Sequence, residues 1–293
     1  MKWQGIIPAI TTPFREDFSV DHDFLARHAS WMVDAGCTGV VALGSLGEGA
    51  TLEPDEKIAI LKTCVQALRV PVVAAISALS TDAAVRLAKD AQRAGCSGLM
   101  VLPPYVYSTD WREMKAHIAA ILRATDLSCM LYNNPIAYRT DFLPEQVAEL
   151  AGEHENLHAV KESSADIRRV TAIRSLIGDR LAILVGVDDL IVEGIAAGAT
   201  GWIAGLVNAL PRESVAVFDG ALRGDDVSAL YHWFLPLLRL DTVPKFVQLI
   251  KLVQQEVGMG SERVRPPRLT LAGQERDEAL RIIRAALGAR PPA

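Results

Sequence analysis

Hydrophobic positions along the chain fall into two alternating textures. Short, almost uninterrupted apolar runs of strand length occur at Ile6 to Thr11, Gly39 to Leu43, Val72 to Ser77, Gly98 to Leu102, Ser128 to Tyr132, Leu157 to Lys161, Leu181 to Val185 and Gly201 to Ala204. Between them lie longer stretches in which apolar residues recur every three or four positions, the period of an amphipathic helix. Asp21 to Asp34, Pro54 to Leu68 and Thr81 to Ala94 are examples. Start signals accompany them, with Glu53, Asp55 and Glu56 around the second and Ser80-Thr81-Asp82 at the third. Eight strands without a polar face, alternating with helices, predict a parallel sheet covered on both sides.

A short repeat supports closure of that sheet into a barrel. The string Ala-Gly-x-x-Gly-apolar occurs at Ala35 to Val40, Ala94 to Leu99 and Ala197 to Trp202, each time where a helix runs into a strand. The first glycine suits a left-handed helix cap, and the second suits close backbone approach at strand entry. The spacings, 59 and 103 residues, are near two and four units of the alternation. The predicted fold is a (β/α)8 TIM barrel. After the eighth strand, helical periodicity continues at Pro211 to Leu222, Val227 to Leu238, Val243 to Val257 and Glu275 to Leu287. The last three exceed what eight units need, so residues 1–222 are read as the barrel and 223–293 as a C-terminal helical extension packed on it. The Arg265-Pro266-Pro267-Arg268 break reads as a turn within that extension.

Composition fixes the class without changing the fold. The 293 residues are 50% hydrophobic and 22% charged, ample for a large core and too apolar for disorder. Thirty basic against thirty-five acidic residues give a net charge of -5 with no basic stripe, which argues against nucleic acid as a partner. Cys37, Cys64, Cys96 and Cys129 lie far apart in apolar or Gly-flanked surroundings, the pattern of buried thiols in a reducing compartment. The N-terminus lacks the pattern of a signal peptide, and Gly194 to Val207 is too short and Gly-rich to cross a bilayer. A cytoplasmic enzyme or binding protein with no membrane association is expected.

In a parallel barrel, chemistry gathers where strands end, because the loops there share one mouth. The first strand ends at Thr11-Thr12-Pro13, two hydroxyls or a simple turn. The second ends at Gly44-Ser45-Leu46-Gly47-Glu48-Gly49, where backbone amides and the Ser45 hydroxyl could cradle an anion, or form a tight turn without one. The fifth runs through Tyr132 into Asn133-Asn134-Pro135; Tyr132 is a proton carrier or an amphipathic ring at the rim. The sixth is apolar until Lys161. Pointed inward, that ammonium would be desolvated and its pKa lowered, freeing an amine to attack a carbonyl or imine; pointed outward, it would snorkel to water. The seventh ends at Gly186-Val187-Asp188-Asp189, acids that read as substrate ligands or helix caps, and Glu162-Ser163-Ser164 with Arg168-Arg169 reads as capping plus a basic face. The histidines form no metal-ligand spacing and the loop after the second strand meets neither GxGxxG nor GxxxxGK(S/T), so neither a metal nor a nucleotide cofactor is expected.

Gly44-Ser45-Leu46-Gly47-Glu48, Tyr132-Asn133-Asn134-Pro135 and Ala159-Val160-Lys161-Glu162-Ser163 together resemble the dihydrodipicolinate synthase and N-acetylneuraminate lyase superfamily of lysine Schiff-base lyases. The resemblance runs from Pro8-Ala9-Ile10-Thr11-Thr12-Pro13-Phe14 to Arg265-Pro266-Pro267. It implies Lys161 as the Schiff-base lysine, Tyr132 as the proton shuttle, and Ser45 linking Tyr132 to a tyrosine of a neighbouring subunit, Tyr105 or, in our preferred alignment, Tyr107. It further implies Thr12, Ser45, Leu46 and Ile203 as substrate contacts, a small anionic 2-oxo or 2-imino acid as substrate, and a homotetramer built as a dimer of dimers. Synthases of this superfamily usually carry a second threonine where this chain has Leu46. They also carry an arginine that grips the substrate carboxylate where it has Ala137, although Arg139 lies near. Losing both a hydroxyl and a cation disfavours the lysine-pathway reaction. The motifs are most similar to the branch containing 1-pyrroline-4-hydroxy-2-carboxylate deaminases. Competing readings are 4-hydroxy-tetrahydrodipicolinate synthase, another pyruvate-type aldolase or 2-keto-3-deoxy sugar acid dehydratase, and a non-catalytic sensor or scaffold.

Overall fold

The computed structural model describes residues 1–104 and 110–291. All eight predicted strands form: β1 Gly5–Pro8, β2 Val40–Ala42, β3 Val72–Ile76, β4 Gly98–Val101, β5 Ser128–Asn133, β6 Leu157–Glu162, β7 Ala182–Val185 and β8 Gly201–Ala204. They lie in one parallel sheet ordered β1-β8-β7-β6-β5-β4-β3-β2. The ends meet through an Ala9–Val41 bridge and a bond from the Ile10 amide to the Val41 carbonyl at 2.9 Å, which closes the barrel. Helices follow the strands: α1 His22–Asp34, α2 Pro54–Ala67, α3 Thr81–Arg93, α4 Trp111–Arg123, a single turn α5 Pro135–Tyr138, α6 Pro144–Glu153, α7 Arg168–Ile177, α8 Ile191–Ala196 and α9 Pro211–Arg223. Asp21, placed by periodicity inside the first helix, instead caps it by accepting from the Phe24 amide. The expected cap at Ser80 accepts from the Ala83 amide.

The glycine repeat acts as its two positions predict. Gly36, Gly95 and Gly198 take φ values of 115°, 92° and 103°, open only to residues without a side chain. Gly39 and Gly98 admit neighbouring backbone: a Cβ on either would sit 2.8 Å from a carbonyl oxygen, of Pro71 and Ser128 respectively. Each unit thus uses one glycine to stop the helix and one to let the next strand close on its neighbour.

Three more helices follow, α10 Ser228–Leu238, α11 Phe246–Glu256 and α12 Gly273–Gly288. Their polar groups reach the loops at the C-terminal ends of the barrel strands. The Lys251 ammonium on α11 donates to Glu48 Oε1 at 2.6 Å and to the Thr12 and Arg263 carbonyls at 2.8 Å each. The Glu48 side chain is fully buried and that of Lys251 almost so. Glu48 itself sits at φ 54°, and a Cβ on Gly49 would lie 2.0 Å from the Leu43 carbonyl. The glycine-rich loop after β2 is therefore folded tightly on its own backbone, and its carboxylate anchors the C-terminal helices. All four cysteines are free and buried, and burial pushes each thiol up to about 12. Among the described residues no helix is long and apolar enough to cross a membrane, and no group of side chains is arranged to hold a metal ion.

Candidate active site

The alignment of β5 with β6 determines what faces the barrel mouth. Cys129 pairs with Leu157, but Met130 pairs with Ala159, so His158 is an extra residue in β6. Its side chain turns outward to the Ser128 hydroxyl at 2.9 Å. This bulge moves every later pair by one position and sets Lys161 beside Tyr132, on adjacent parallel strands with side chains on the same face. Unbulged, Tyr132 would sit beside Val160.

The Lys161 Nζ lies 4.1 Å from the centroid of the Tyr132 ring. Both residues are buried. Room for the lysine chain comes from Gly186 at the end of β7, where a Cβ would lie 2.4 Å from Lys161 Cε. Burial draws the ammonium down to about 8, opposed by the negative charges of Asp241 and Asp188. No hydrogen bond to Nζ forms among the described residues, so the amine is held by packing and field and not by fixed acceptors. The inward reading of Lys161 is therefore the observed one.

Tyr132 is pushed up to about 12, first by burial and then by Asp241, against the hydrogen bond it accepts from Asn134 Nδ2 at 3.0 Å. Its ring meets that of Tyr138 edge to face, with centroids 5.8 Å apart. Tyr138 in turn shares a hydrogen bond with the Ser45 hydroxyl. A chain of hydroxyl-bearing side chains thus runs from beside Lys161 through Tyr132 and Tyr138 to Ser45. Tyr138 was not among the residues singled out from sequence. Its signal lay in Tyr-Asn-Asn-Pro-Ile-Ala-Tyr: the proline starts α5 and Asn134 caps it by accepting from the Ala137 amide, a single turn that carries Tyr138 back toward Tyr132.

The other predicted residues differ in what they contribute. Thr12 is buried and donates to the Gly47 carbonyl at 2.6 Å, bracing the Ser45–Gly47 loop. Leu46 is buried in that loop, and Ile203 is buried on β8 opposite Ile7. Tyr105 and Tyr107 lie outside the described residues. Ala137 and Arg139 are both exposed, and Arg139 takes a left-handed φ of 58°, so neither supplies a buried cation.

Asp188 neither caps a helix nor presents a free carboxylate. It is fully buried and accepts from Trp202 Nε1 at 2.9 Å, from the Gly205 amide at 3.1 Å and from the Leu206 amide at 2.7 Å. Burial pushes its pKa up to about 6 in spite of those donors. Glu162 is likewise buried, bonded by Asn133 Nδ2 and the Ser164 amide. Arg169 turns away to pair with Asp141 at 2.6 Å. The expected basic face is consequently limited to Arg168, which is exposed and bonded to Asp166.

A second polar cleft, about 530 Å³, opens between the end of β1, the start of α1 and the loop after α11. Its buried cation is Lys251, whose donors are already taken by Glu48 and two carbonyls.

Comparison with known proteins converges on one group. The profile of the dihydrodipicolinate synthetase family matches residues 2–286. The 4-hydroxy-tetrahydrodipicolinate synthase of Methanothrix thermoacetophila is 32% identical over 284 residues, covering 96% of each chain. That of Agrobacterium fabrum is 33% identical over 269 residues, 90% of this chain and 92% of the relative. Among solved structures, the dihydrodipicolinate synthase of Aquifex aeolicus superposes with a TM-score of 0.92 at 26% identity, covering 97% of this chain and 98% of the other. The enzyme of Acinetobacter baumannii, solved with pyruvate, gives 0.90 at 28% identity over 97% and 98%.

Proposed function

The chain belongs to the dihydrodipicolinate synthetase family and is a class I aldolase-type lyase, and within that family we propose that it is a 1-pyrroline-4-hydroxy-2-carboxylate deaminase releasing 2,5-dioxopentanoate and ammonia. The observation that carries the Schiff-base chemistry is a lysine packed against a tyrosine ring, with no hydrogen-bond acceptor on its nitrogen among the described residues and drawn down to about 8 by burial. Such an amine is both deprotonated often enough and free enough to attack.

In the proposed reaction Lys161 Nζ adds to C2 of the cyclic imine, and the C2–N bond to the ring nitrogen then breaks to leave a lysine Schiff base. That cation acidifies C3. Loss of a C3 proton gives an enamine, whose electron pair expels the C4 hydroxyl as water. Proton shifts then bring the unsaturation to C5, where water releases ammonia and leaves the aldehyde. A last water at C2 frees Lys161. Tyr132, next to Nζ and coupled by ring contact to the Tyr138–Ser45 pair, is suited to move protons at C3 and the nitrogen. Ser45 and the Leu46 amide are the proposed carboxylate contacts. The proposal extends to a homotetramer in which Tyr107 of a neighbouring subunit completes the hydroxyl chain.

The deaminase is favoured over the synthase by Ala137 at the ungapped place of the synthases' carboxylate-gripping arginine, with the nearby Arg139 exposed. The names of the relatives favour 4-hydroxy-tetrahydrodipicolinate synthase instead. Borohydride added with 1-pyrroline-4-hydroxy-2-carboxylate should fix substrate mass on the Lys161 peptide, and Lys161→Ala should end turnover; an unmodified Lys161 sinks the proposal. Productive condensation of pyruvate with aspartate semialdehyde would decide for the synthase.

A further inference from the structure

One carboxylate in the mouth has an oxygen that meets no hydrogen-bond donor among the described residues. Asp241 lies in the Arg239–Asp241 turn between α10 and α11, far in sequence from the motifs. The residue is half-buried, but its Oδ1 is shut off from solvent and accepts no hydrogen bond. Leaving a sealed carboxyl oxygen unmet is costly, so its position asks for a donor that arrives with a ligand.

Steric room and electrostatic field together place this carboxyl. Gly205, at the end of β8, makes room for it: a Cβ there would lie 2.1 Å from Asp241 Oδ1 and 2.5 Å from Cγ. The amide of that same Gly205 holds Asp188. Lys161 and Tyr132 both lie in the field of Asp241. The turn is steered there by Arg239, 3.6 Å from Asp189, with Tyr231 donating to the Asp189 carbonyl at 2.5 Å. Asp188 is saturated by three donor groups, whereas Asp241 is the acid of the mouth with bonding capacity left.

We propose that Asp241 binds the hydroxyl of a hydroxylated 2-oxo or 2-imino acid and delivers the proton with which that hydroxyl leaves. An alcohol O–H fits the unmet oxygen as donor, whereas a substrate carboxylate would bring only acceptors to it. In the eliminating step the enamine nitrogen lone pair re-forms the C2 iminium and the C2–C3 π pair becomes the C3–C4 double bond. The C4–O bond pair leaves on oxygen, which takes the Asp241 proton and departs as water, with Asp241 left as carboxylate. Burial and the neighbouring Asp188 hold the Asp241 carboxyl well above the usual carboxylate range, the direction a proton donor needs. This assignment rests on the Schiff-base reading of Lys161 and specifies what that site selects.

The test compares a hydroxylated substrate with one that has no hydroxyl. For wild type, Asp241→Asn and Gly205→Ala, kcat/KM on 1-pyrroline-4-hydroxy-2-carboxylate and on a 2-keto-3-deoxy sugar acid is measured beside the rate of borohydride trapping with pyruvate. Gly205 sits at φ -96°, open to alanine, and the added methyl would displace the Asp241 carboxyl without altering its charge. The loss on the best hydroxylated substrate should exceed the loss in pyruvate trapping by about 30-fold or more in both variants, the scale of a missing buried hydrogen bond to a charged group. Equal losses on both reactions would mark Asp241 as structural and overturn the proposal, as would no loss at all. A wild type that traps pyruvate but turns over no hydroxylated acid would instead overturn the deaminase reading.

Discussion

Titrating Lys161 gives the most direct check on the site. Burial brings its pKa from the ordinary 10.5 to about 8. At pH 7 an unperturbed lysine is about 0.03% free amine, while one at 8 is about 9%, a gain of roughly 300-fold in nucleophile. The rate of Schiff-base capture should therefore climb close to tenfold per pH unit from pH 6, bend near 8 and be flat by 9. It is read by quenching pyruvate mixtures with borohydride at timed intervals and counting modified Lys161 peptide by mass. Asp188→Asn sharpens the check, because the Asp188 charge raises the Lys161 pKa; without it the bend should move to lower pH. A capture rate still rising tenfold per unit between pH 9 and 10 would show a hydrated, ordinary lysine and refute the reasoning, as would a bend that moves upward in Asp188→Asn.

Two further outcomes follow from the packing. Tyr138→Phe keeps the edge-to-face contact with Tyr132 but removes the hydroxyl bonded to Ser45; turnover should fall by about 10- to 100-fold, less than for loss of a primary acid or base, and Tyr138→Phe with unchanged kcat would remove Tyr138 from the proton path. Lys251→Met takes the ammonium from Glu48 Oε1 and leaves the buried carboxylate with the Arg265 amide at 3.0 Å and Arg268 at 3.9 Å, and urea unfolding should show a loss of about 3 kcal/mol, much of it regained in Glu48→Gln/Lys251→Met; a double variant no more stable than the single one would contradict a charge-pair origin.

How legible the molecule was depended on range. Features set by a few adjacent residues could be read directly: uniform apolarity named the strands, and the Ala-Gly-x-x-Gly string named the helix stops and strand entries, because a left-handed φ and a carbonyl contact each demand glycine locally. The strand-end rule brought Lys161, Tyr132 and Ser45 into view for the same reason. What escaped was contact across the chain. Asp188 looked like a cap because its three donors, on Trp202, Gly205 and Leu206, are supplied by the next strand and its following turn. Asp241 carried no motif, since its meaning comes from lying over Gly205. The extra residue at His158 was invisible in an apolar run, yet it alone decides that Lys161 and not Val160 faces the mouth beside Tyr132.

The two buried lysines show why a perturbed pKa does not identify a nucleophile. Burial brings Lys161 and Lys251 alike to about 8. Lys251, however, spends its three donors on Glu48 and the carbonyls of Thr12 and Arg263, over the face of Phe14. Its nitrogen has no direction left from which to attack, and pulling it away would cost an ion pair and two hydrogen bonds. Among the described residues Lys161 Nζ makes no hydrogen bond; it faces a tyrosine ring and lies in the fields of Asp188 and Asp241, which temper its pKa without holding the nitrogen. The first arrangement turns burial into cohesion between the barrel and its C-terminal helices; the second leaves burial unrelieved, and in the Schiff-base proposal that unrelieved cost is what frees the amine to react. Chemistry in this fold therefore follows the lysine with unfilled hydrogen-bonding capacity, and the same criterion singles out Asp241 from Asp188.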